Sequence, residues 1–220
     1  MTFSPNAPEA AREVRAKTRA RLIALRRGLP AEERRRLSGR IQSLALADGR
    51  WRAARTVALY VAVRGEVSTE RLLDAAWSAG KTVLLPRCLP PDPHDPPEAG
   101  GRMEFLVCSR REELVPGRYG LLEPGPACQR VACSGAVSDR APLPDLAVFP
   151  AVGLRSDGAR LGYGGGYYDR AFSRPGWSAV PRLALIYACQ LAWFPVDGDR
   201  DACPDLAVHG YATEERLLWL

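Results

Sequence analysis

Short buried runs of hydrophobic residues alternate along the chain with amphipathic stretches. STERLLDAAWSAGK (68–81) has the apolar spacing of a helix, with Ser68 as its N-cap and Gly80 as its stop. This helix lies between two apolar runs, and a strand–helix–strand order of this kind predicts a parallel sheet. The predicted strands are RTVALYVAV (55–63), TVLLP (82–86), MEFLVC (103–108), PDLAVFP (144–150) and PRLALIYA (181–188).

The remaining segments complete an α/β pattern. Helices are predicted over residues 9–27 and Pro30–Ala47, where LPAEER supplies the proline and glutamates of a helix start. Prolines make 86–102 a loop, and 109–144 is mostly turn. A short helix should run from Gly166 to Ser173, and the C-terminus should form a strand and a terminal turn. We therefore expect one domain over residues 1–220, with residues 1–50 as its basic helical part.

Composition narrows the class of protein. A chain of 220 residues that is 46% hydrophobic has room for a sizeable core. The longest wholly apolar run, 57–63, is far too short to cross a bilayer, and the N-terminus lacks an apolar signal core. The six cysteines form no CxxC pair, and only two histidines are present, so reduced thiols in the cytoplasm are expected. Chemistry built on a histidine base is disfavoured.

Positive charge is concentrated at the N-terminus. Residues 1–55 hold 14 Lys or Arg against 5 Asp or Glu, whereas the rest of the chain is slightly acidic. This excess fits a nucleic-acid patch, a site for an anionic small molecule or a solvated helix face. No nucleic-acid motif is present, and no aromatic residue interleaves the arginines before Trp51. Arg15 and Arg19 are four residues apart and share a helix face, where a solvated basic face is the default interpretation and an anion clamp is the sharper one.

The stretch RLGYGGGYYDR (160–170) carries the strongest chemical signal. It lies between a predicted strand and a predicted helix, which is where ligands bind in open α/β sheets. Glycines allow successive backbone N–H groups to face one point, and a helix start adds positive potential, so phosphate is the expected ligand. Arg160 would add a charged contact. The stretch matches neither GxxxxGK[ST] nor GxGxxG, and a tight turn is the simpler alternative.

Two acidic residues and two tyrosines could serve the same site. Asp169 is either a first-turn carboxylate favoured by the helix dipole or a ligand of Mg²⁺ on a bound polyphosphate. Glu66 follows a buried strand and could reach the same crevice, although alone it is an ordinary loop glutamate. Tyr167 and Tyr168 are either core aromatics or the lining of a pocket.

Taken together, these residues resemble the 5-formyltetrahydrofolate cyclo-ligase (5,10-methenyltetrahydrofolate synthetase) family over nearly the whole chain. The segment most similar to the family signature is VFPAVGLRSDGARLGYGGGYYDR (148–170). Further pieces occur in the family's order: LPAEER, LYVAVRGEVST (59–69), GKTVLLP (80–86), YGLLEPGP (119–126), Gln190–Leu191 and Thr213–Glu214. The resemblance implies a three-layer α/β/α sandwich with a mostly parallel sheet, similar to the sugar-phosphate isomerase and CoA-transferase type.

The resemblance also implies a reaction. ATP and Mg²⁺ would drive closure of 5-formyltetrahydrofolate to 5,10-methenyltetrahydrofolate, with release of ADP and phosphate. Phosphorylation of the formyl oxygen would make that oxygen able to leave, so catalysis is mostly positioning and charge neutralisation. The expected partners are therefore small molecules, with no nucleic acid and no membrane, and the expected state is a monomer. A non-catalytic folate- or nucleotide-binding relative, or an enzyme for another substrate, stays an alternative.

Carried over to this chain, the resemblance assigns roles to specific residues. Those implied to bind ATP are Arg15, Arg19, Arg160, Leu161, Gly162, Tyr163, Gly164, Gly165, Gly166, Tyr167 and Tyr168. Those implied to bind folate are Val61, Glu66, Tyr163, Gly164, Gly165, Gly166 and Tyr167. Arg160, Tyr167 and Asp169 form the implied catalytic group, with Asp169 as a magnesium ligand.

A second magnesium aspartate is expected near the C-terminus. The spacing back from Thr213 selects Asp205, whereas the spacing forward from Pro195 comes closer to Asp201. We select Asp205, because it keeps the family's interval without a gap. The chain departs from many family members at Tyr163 and Gly165, where they carry Arg or Lys, and this lowers the local positive charge.

Overall fold

The computed structural model of the protein describes residues 7–90, 101–131, 143–195 and 206–220. Within these ranges the helices are α1 (Ala7–Gly28), α2 (Ala31–Ala47), α3 (Gly49–Ala53), α4 (Glu70–Ser78) and α5 (Tyr167–Phe172). The strands are β1 (Thr56–Ala58), β2 (Thr82–Leu89), β3 (Arg102–Val107), β4 (Leu114–Pro116), β5 (Leu122–Pro124), β6 (Leu146–Pro150), β7 (Gly153–Leu154), β8 (Arg160–Leu161), β9 (Arg182–Leu185), β10 (Gly210–Ala212) and β11 (Leu217–Trp219).

A seven-stranded sheet in the order β11-β10-β9-β6-β1-β2-β3 forms the centre of the fold. The strands from β10 to β2 in this order run parallel, and only the edge strands β11 and β3 are antiparallel. Strands β1 and β2 pair from Thr56 opposite Thr82, with α4 as the crossover between them. The predicted parallel unit and the mostly parallel sheet are therefore confirmed.

Helices cover both faces of this sheet, because successive strand residues point to opposite sides. On one face, Val57 and Leu59 join a cluster with α2, α3 and α4. On the other face, Ala58 and Phe149 join a cluster with α5. Helix α1 lies apart from both clusters and packs Leu22 against the hairpin of β7 and β8. The three-layer arrangement that the sequence predicts is thus the one that the structure has.

Helix boundaries follow the predictions closely, and strand boundaries do so less well. Strand β1 ends at Ala58, although the apolar run continues to Val63. Leu59 and Tyr60 remain buried beyond the strand, where the Tyr60 hydroxyl donates to Val67 O at 2.8 Å. The C-terminus forms an antiparallel hairpin, β10 and β11, where a strand and a turn were predicted. The part of the chain that the structure describes contains no helix long and apolar enough to span a membrane.

An aromatic cluster beneath α5 fixes the face of the sheet next to the glycine-rich segment. The ring of Phe172 lies 4.7 Å from that of Phe149, 5.0 Å from Trp177 and 5.7 Å from Phe105, between ring centroids. These contacts are edge-on, the arrangement that aromatic quadrupoles favour. Because Phe172 is the last residue of α5, its packing holds that short helix on the sheet.

Replacing Phe172 with Ala should lower the free energy of unfolding by about 3–5 kcal/mol, because it removes a fully buried ring and leaves a cavity. Urea unfolding followed by tryptophan fluorescence measures the change. Trp193→Ala is the control, because that side chain is 74% exposed and its loss should have little effect. Equal losses for the two variants would contradict the prediction.

Candidate functional site

A cavity of about 670 Å³ opens at the carboxyl ends of β1 and β6. Its walls come from α1, from the segments after these two strands, and from β2, β3, β5 and the loop before α5. The lining residues are Arg12, Arg15, Arg19, Tyr60, Val61, Val63, Arg64, Glu66, Pro86, Cys88, Met103, Leu121, Leu122, Glu123, Pro150, Ala151, Val152, Arg160, Gly162, Tyr163, Gly164, Gly165, Gly166, Tyr167, Tyr168 and Asp169. A volume of this size accommodates an organic ligand of several rings.

The glycine loop (residues 162–166) forms one wall of the cavity. It follows the hairpin of β7 and β8, which separates it from β6, and it leads directly into α5. Gly164 and Gly166 have φ values of 95° and 62°, a region that residues with a Cβ rarely adopt. Arg19 on α1 donates from Nε to Gly162 O at 2.8 Å, which ties the loop to the N-terminal helix. Two glycines are therefore required by the backbone path alone.

Arg160 and Asp169 form an ion pair across the base of this loop. Arg160 Nη2 donates to Asp169 Oδ1 at 2.8 Å, and both side chains are largely buried. The same carboxylate oxygen accepts from Leu206 N at 3.0 Å. The guanidinium carbon lies 5.5 Å from the ring centroid of Tyr168 and 5.7 Å from that of Phe149. Its buried Nε has no hydrogen-bond partner among the described residues.

Arginines from α1 give the cavity a second source of positive charge. Arg15 is buried, and its Nη1 donates to Pro195 O at 3.2 Å. Arg19 is half-buried, and Arg12, two turns before Arg19, is exposed and also lines the cavity. With Arg160, these residues place guanidinium groups around the glycine loop. Such a wall is suited to phosphate groups, which guanidinium groups bind through two parallel hydrogen bonds.

Glu66 faces the cavity from a turn after β1, the VRGE turn (residues 63–66). Glu66 N donates to Val63 O at 2.9 Å, and Glu66 Oε2 accepts from Val63 N at 3.1 Å. Arg64 has a φ of 52°, and it is the only non-glycine residue with positive φ in the described ranges. Burial raises the pKa of Glu66, although the Val63 N–H and the charge of Arg26 oppose the rise. A carboxylate with few partners thus lines the cavity.

Three tyrosines of the glycine-rich segment differ in environment. Tyr168 packs against Phe149, with ring centroids 4.8 Å apart, and its burial raises the pKa of the phenol. Tyr167 lies against Gly101, where an added Cβ would fall 2.2 Å from the tyrosine hydroxyl. Tyr163 is 42% exposed, and its hydroxyl accepts from Arg26 Nη2. The pKa of Tyr163 is raised, first by burial and then by the charge of Glu66.

Most residues that the sequence selects come together at this cavity. Arg15, Arg19, Val61, Glu66, Arg160 and the whole stretch from Gly162 to Asp169 line it. Leu161 does not line it, because its side chain packs against α1 in the cluster around Leu22. Asp205 and Asp201 lie outside the described residues. The roles of all these residues stay predictions.

Several lining residues were missed by the sequence analysis. The clearest is Glu123 on β5, a buried carboxylate whose Oε1 accepts from Cys88 N at 3.2 Å. Its signal was present in the sequence, because Glu123 belongs to the quoted piece YGLLEPGP. Arg12 and Arg64 carried no local pattern that separates them from the other arginines of the N-terminal quarter.

The fit of a magnesium ion rests on Asp169. No cluster of three acidic, histidine or cysteine side chains suited to a metal occurs among the described residues. Mg²⁺ does not require one, since it commonly uses one or two carboxylates together with phosphate oxygens and water. Asp169 lines the cavity, and its Oδ1 is already held by two donors. The carboxylate is thus held in place beside the arginine-rich wall, which fits a metal bound through a nucleotide.

Fold and cavity together define an α/β protein with an arginine-lined cavity at the carboxyl ends of its parallel strands. The family model of the 5-formyltetrahydrofolate cyclo-ligase family matches residues 11–198. The chain belongs to this family.

Individual relatives agree with the family match. The 5-formyltetrahydrofolate cyclo-ligase of Escherichia coli K12 is 34% identical over 142 residues, which cover 63% of this chain and 68% of that protein. The corresponding protein of Haemophilus influenzae is 29% identical over 80% of this chain and 87% of its own length. The NMR structure of Aquifex aeolicus 5,10-methenyltetrahydrofolate synthetase superimposes with a TM-score of 0.71 at 27% identity, covering 94% of this chain and 93% of that one.

The Arg160–Asp169 pair should be important for stability as well as for the site. Asp169→Asn should lower the free energy of unfolding by about 3 kcal/mol, because it leaves the buried guanidinium without a counter-charge. Asp157→Asn is the matched control. Asp157 pairs with Arg155 in the preceding hairpin but is 53% exposed, so its loss should cost less than about 1 kcal/mol. Equal effects in chemical denaturation would contradict the prediction.

Proposed function

We propose that this protein uses Mg·ATP to convert 5-formyltetrahydrofolate into 5,10-methenyltetrahydrofolate, with release of ADP and phosphate. The observation that carries the proposal is that one cavity is lined by two chemically different sets of residues, which we treat as its two halves. The arginine-lined half comprises Arg15, Arg19 and Arg160, of which Arg19 and Arg160 lie close to Gly162 of the glycine loop. The other half comprises Glu66, Val61 and Tyr60, with Glu66 near Tyr163 of the same loop. The two halves meet at the loop, which suits transfer of a phosphoryl group between two bound substrates.

The arginine-lined half is proposed to hold the triphosphate. Arg160 is buried and held by Asp169, so its guanidinium loses little freedom when a phosphate binds. Arg19 contacts the glycine loop directly, which fixes the distance between the helix and the loop. Preorganised cations of this kind neutralise the charge that develops during phosphoryl transfer.

The other half is proposed to hold the folate. Val61 and the Tyr60 region supply apolar surface for a flat pteridine ring, and the Glu66 carboxylate accepts hydrogen bonds from ring N–H groups. Tyr163 and Tyr167 border this half from the glycine loop.

The chemistry then needs two displacements. In the first, the formyl oxygen attacks the γ-phosphorus and the bond from phosphorus to the ADP oxygen breaks. In the second, N10 attacks the formyl carbon, the carbon–oxygen bond breaks, and phosphate leaves as N10 gives up its proton. Arg160 and Arg19 neutralise the transferred group, while the tyrosine-lined wall limits the access of water.

Magnesium would be held by Asp169 and Asp205. When bound, it would neutralise phosphate charge and orient the phosphate chain. Support for Asp205 comes from its neighbour in sequence, because Leu206 N donates to Asp169 Oδ1 at 3.0 Å.

A cytoplasmic location, a monomeric state and the absence of nucleic-acid and membrane partners stay predictions. The burial of Arg15 and the engagement of Arg19 in the loop support a small-molecule ligand over nucleic acid.

Purified protein with 5-formyltetrahydrofolate and Mg·ATP should yield the methenyl product and ADP in equal amounts. Near-ultraviolet absorbance follows the product, and a coupled assay follows ADP. Arg160→Lys should lower turnover by about a hundredfold, because it loses the planar fork of the guanidinium while keeping its charge. Folded wild-type protein that forms neither product would refute the proposed function.

Folate binding should weaken in mildly acidic solution because of Glu66. Since burial raises the pKa of Glu66, protonation begins at a higher pH than for an exposed glutamate, and the carboxylate is lost as pH falls. The dissociation constant of 5-formyltetrahydrofolate, measured by calorimetry from pH 5 to 8, should therefore rise towards low pH. Glu66→Gln should bind more weakly at neutral pH and lose this dependence. Glu112→Gln, an exposed site outside the cavity, is the control and should retain the wild-type profile.

A further inference from the structure

Arg26 is a charged residue completely removed from solvent. It lies near the end of α1, its side chain is fully buried, and it does not line the cavity. Its Nη2 donates to Arg64 O at 3.1 Å and to the Tyr163 hydroxyl. Its Nε and Nη1 are buried and have no hydrogen-bond partner in the part of the chain that the structure describes.

This arrangement is costly for the folded state. A buried guanidinium loses its hydration, and two of its donor nitrogens recover no hydrogen bond. No carboxylate among the described residues lies within ion-pairing distance of it. The carboxylate that responds to its charge is Glu66, whose pKa Arg26 holds down against the effect of burial. Stability therefore does not explain why a cation occupies this position.

The two acceptors of Arg26 belong to two separate walls of the cavity. Arg64 lies in the VRGE turn and has the left-handed backbone that such a residue adopts only when its surroundings enforce it. Tyr163 belongs to the glycine loop, and the guanidinium carbons of Arg26 and Arg64 lie 5.7 and 5.8 Å from the centroid of its ring. One buried side chain thus connects α1, the turn that carries Glu66, and the loop.

We propose that Arg26 is a positioning residue for the folate half of the cavity. By holding the carbonyl of Arg64 and the hydroxyl of Tyr163, it sets the separation between the VRGE turn and the glycine loop. Its charge also favours the ionised form of the neighbouring Glu66. This inference rests on the proposed function, and it assigns Arg26 no contact with either substrate.

Arg26→Met tests the proposal, because methionine fills a similar volume without charge or donors. The Michaelis constant for 5-formyltetrahydrofolate should rise about tenfold or more, while that for ATP should stay within about twofold. The melting temperature should stay the same or rise, since an apolar side chain replaces an unpaired buried cation. Arg27→Met, an exposed neighbour on the same helix, should leave all three values unchanged.

A purely structural role for Arg26 predicts the opposite results. It requires Arg26→Met to lower the melting temperature and to weaken folate and ATP binding together, and that result would overturn the proposal. Unchanged kinetics in Arg26→Met would overturn it as well. If Arg26→Met does not fold, Arg26→Lys serves instead, because it keeps the charge but shortens the reach to both acceptors. An unaltered folate constant in Arg26→Lys would then count against the proposal.

Tyr163→Phe separates the two contacts of Arg26. It removes only the hydroxyl of a partly exposed ring and with it one acceptor of Arg26, while the contact of Arg26 with Arg64 O remains. In the Tyr163→Phe background, Arg26→Met should raise the folate constant by a smaller factor than in the wild type, since one of its targets is already absent. If the two substitutions raise the Michaelis constant for folate by factors that multiply in the double variant, Arg26 does not act through Tyr163. Turnover by the wild-type protein is measured in every experiment. A wild type without activity refutes the proposed function, and this result is distinct from one that refutes the role of Arg26.

Discussion

The ion pair between Arg160 and Asp169 is the contact on which the site depends. It joins β8 to α5 and so closes the glycine loop at its base, where the loop's own residues have little tendency to hold one conformation. Asp169 also receives the N–H of Leu206, so the same carboxylate ties the returning C-terminal segment to the loop. Because both partners are largely buried, replacing either one leaves the other as a buried charge without a counter-charge.

Helix α1 explains the uneven charge of the chain. Arg15, Arg19, Leu22 and Arg26 follow the spacing of one helix face, and the structure turns that face inward, towards the β7–β8 hairpin and the cavity. The sequence left open a nucleic-acid patch, an anion site or a solvated face. A helix whose inward-facing stripe holds three arginines and one leucine is unusual for a solvated face, since arginines are rarely buried without a partner or a ligand.

The sheet could be predicted from the sequence because its strands carry apolar residues on both faces and turn residues at their ends. The same property hid the end of β1, because the apolar run continues to Val63. Beyond Ala58 the chain leaves the sheet, and Tyr60, Val61 and Val63 line the cavity. The hairpin of β7 and β8 was also missed, because two-residue strands leave no periodic pattern. The glycine pattern located the loop and the position after a buried strand selected Glu66, and the resemblance then gave both a role. The burial of Arg26 depends on three segments that only the folded chain brings together.

A few residues at or near the cavity have a backbone conformation or a buried charge that is unfavourable for the residue itself. Arg64 has a backbone that favours glycine, Arg26 is a cation without a counter-charge within reach, and Glu66 is a carboxylate whose burial opposes its ionisation. Natural proteins keep such conflicts where binding requires them and compensate through packing elsewhere. Here the compensation comes from the aromatic cluster around Phe172 and the parallel sheet, which bury apolar surface. The conflicts are coupled, because Arg26 contacts the carbonyl of Arg64 and opposes the neutralisation of Glu66. Arg26, Arg64 and Glu66 therefore act together on the VRGE turn, which faces the proposed folate half.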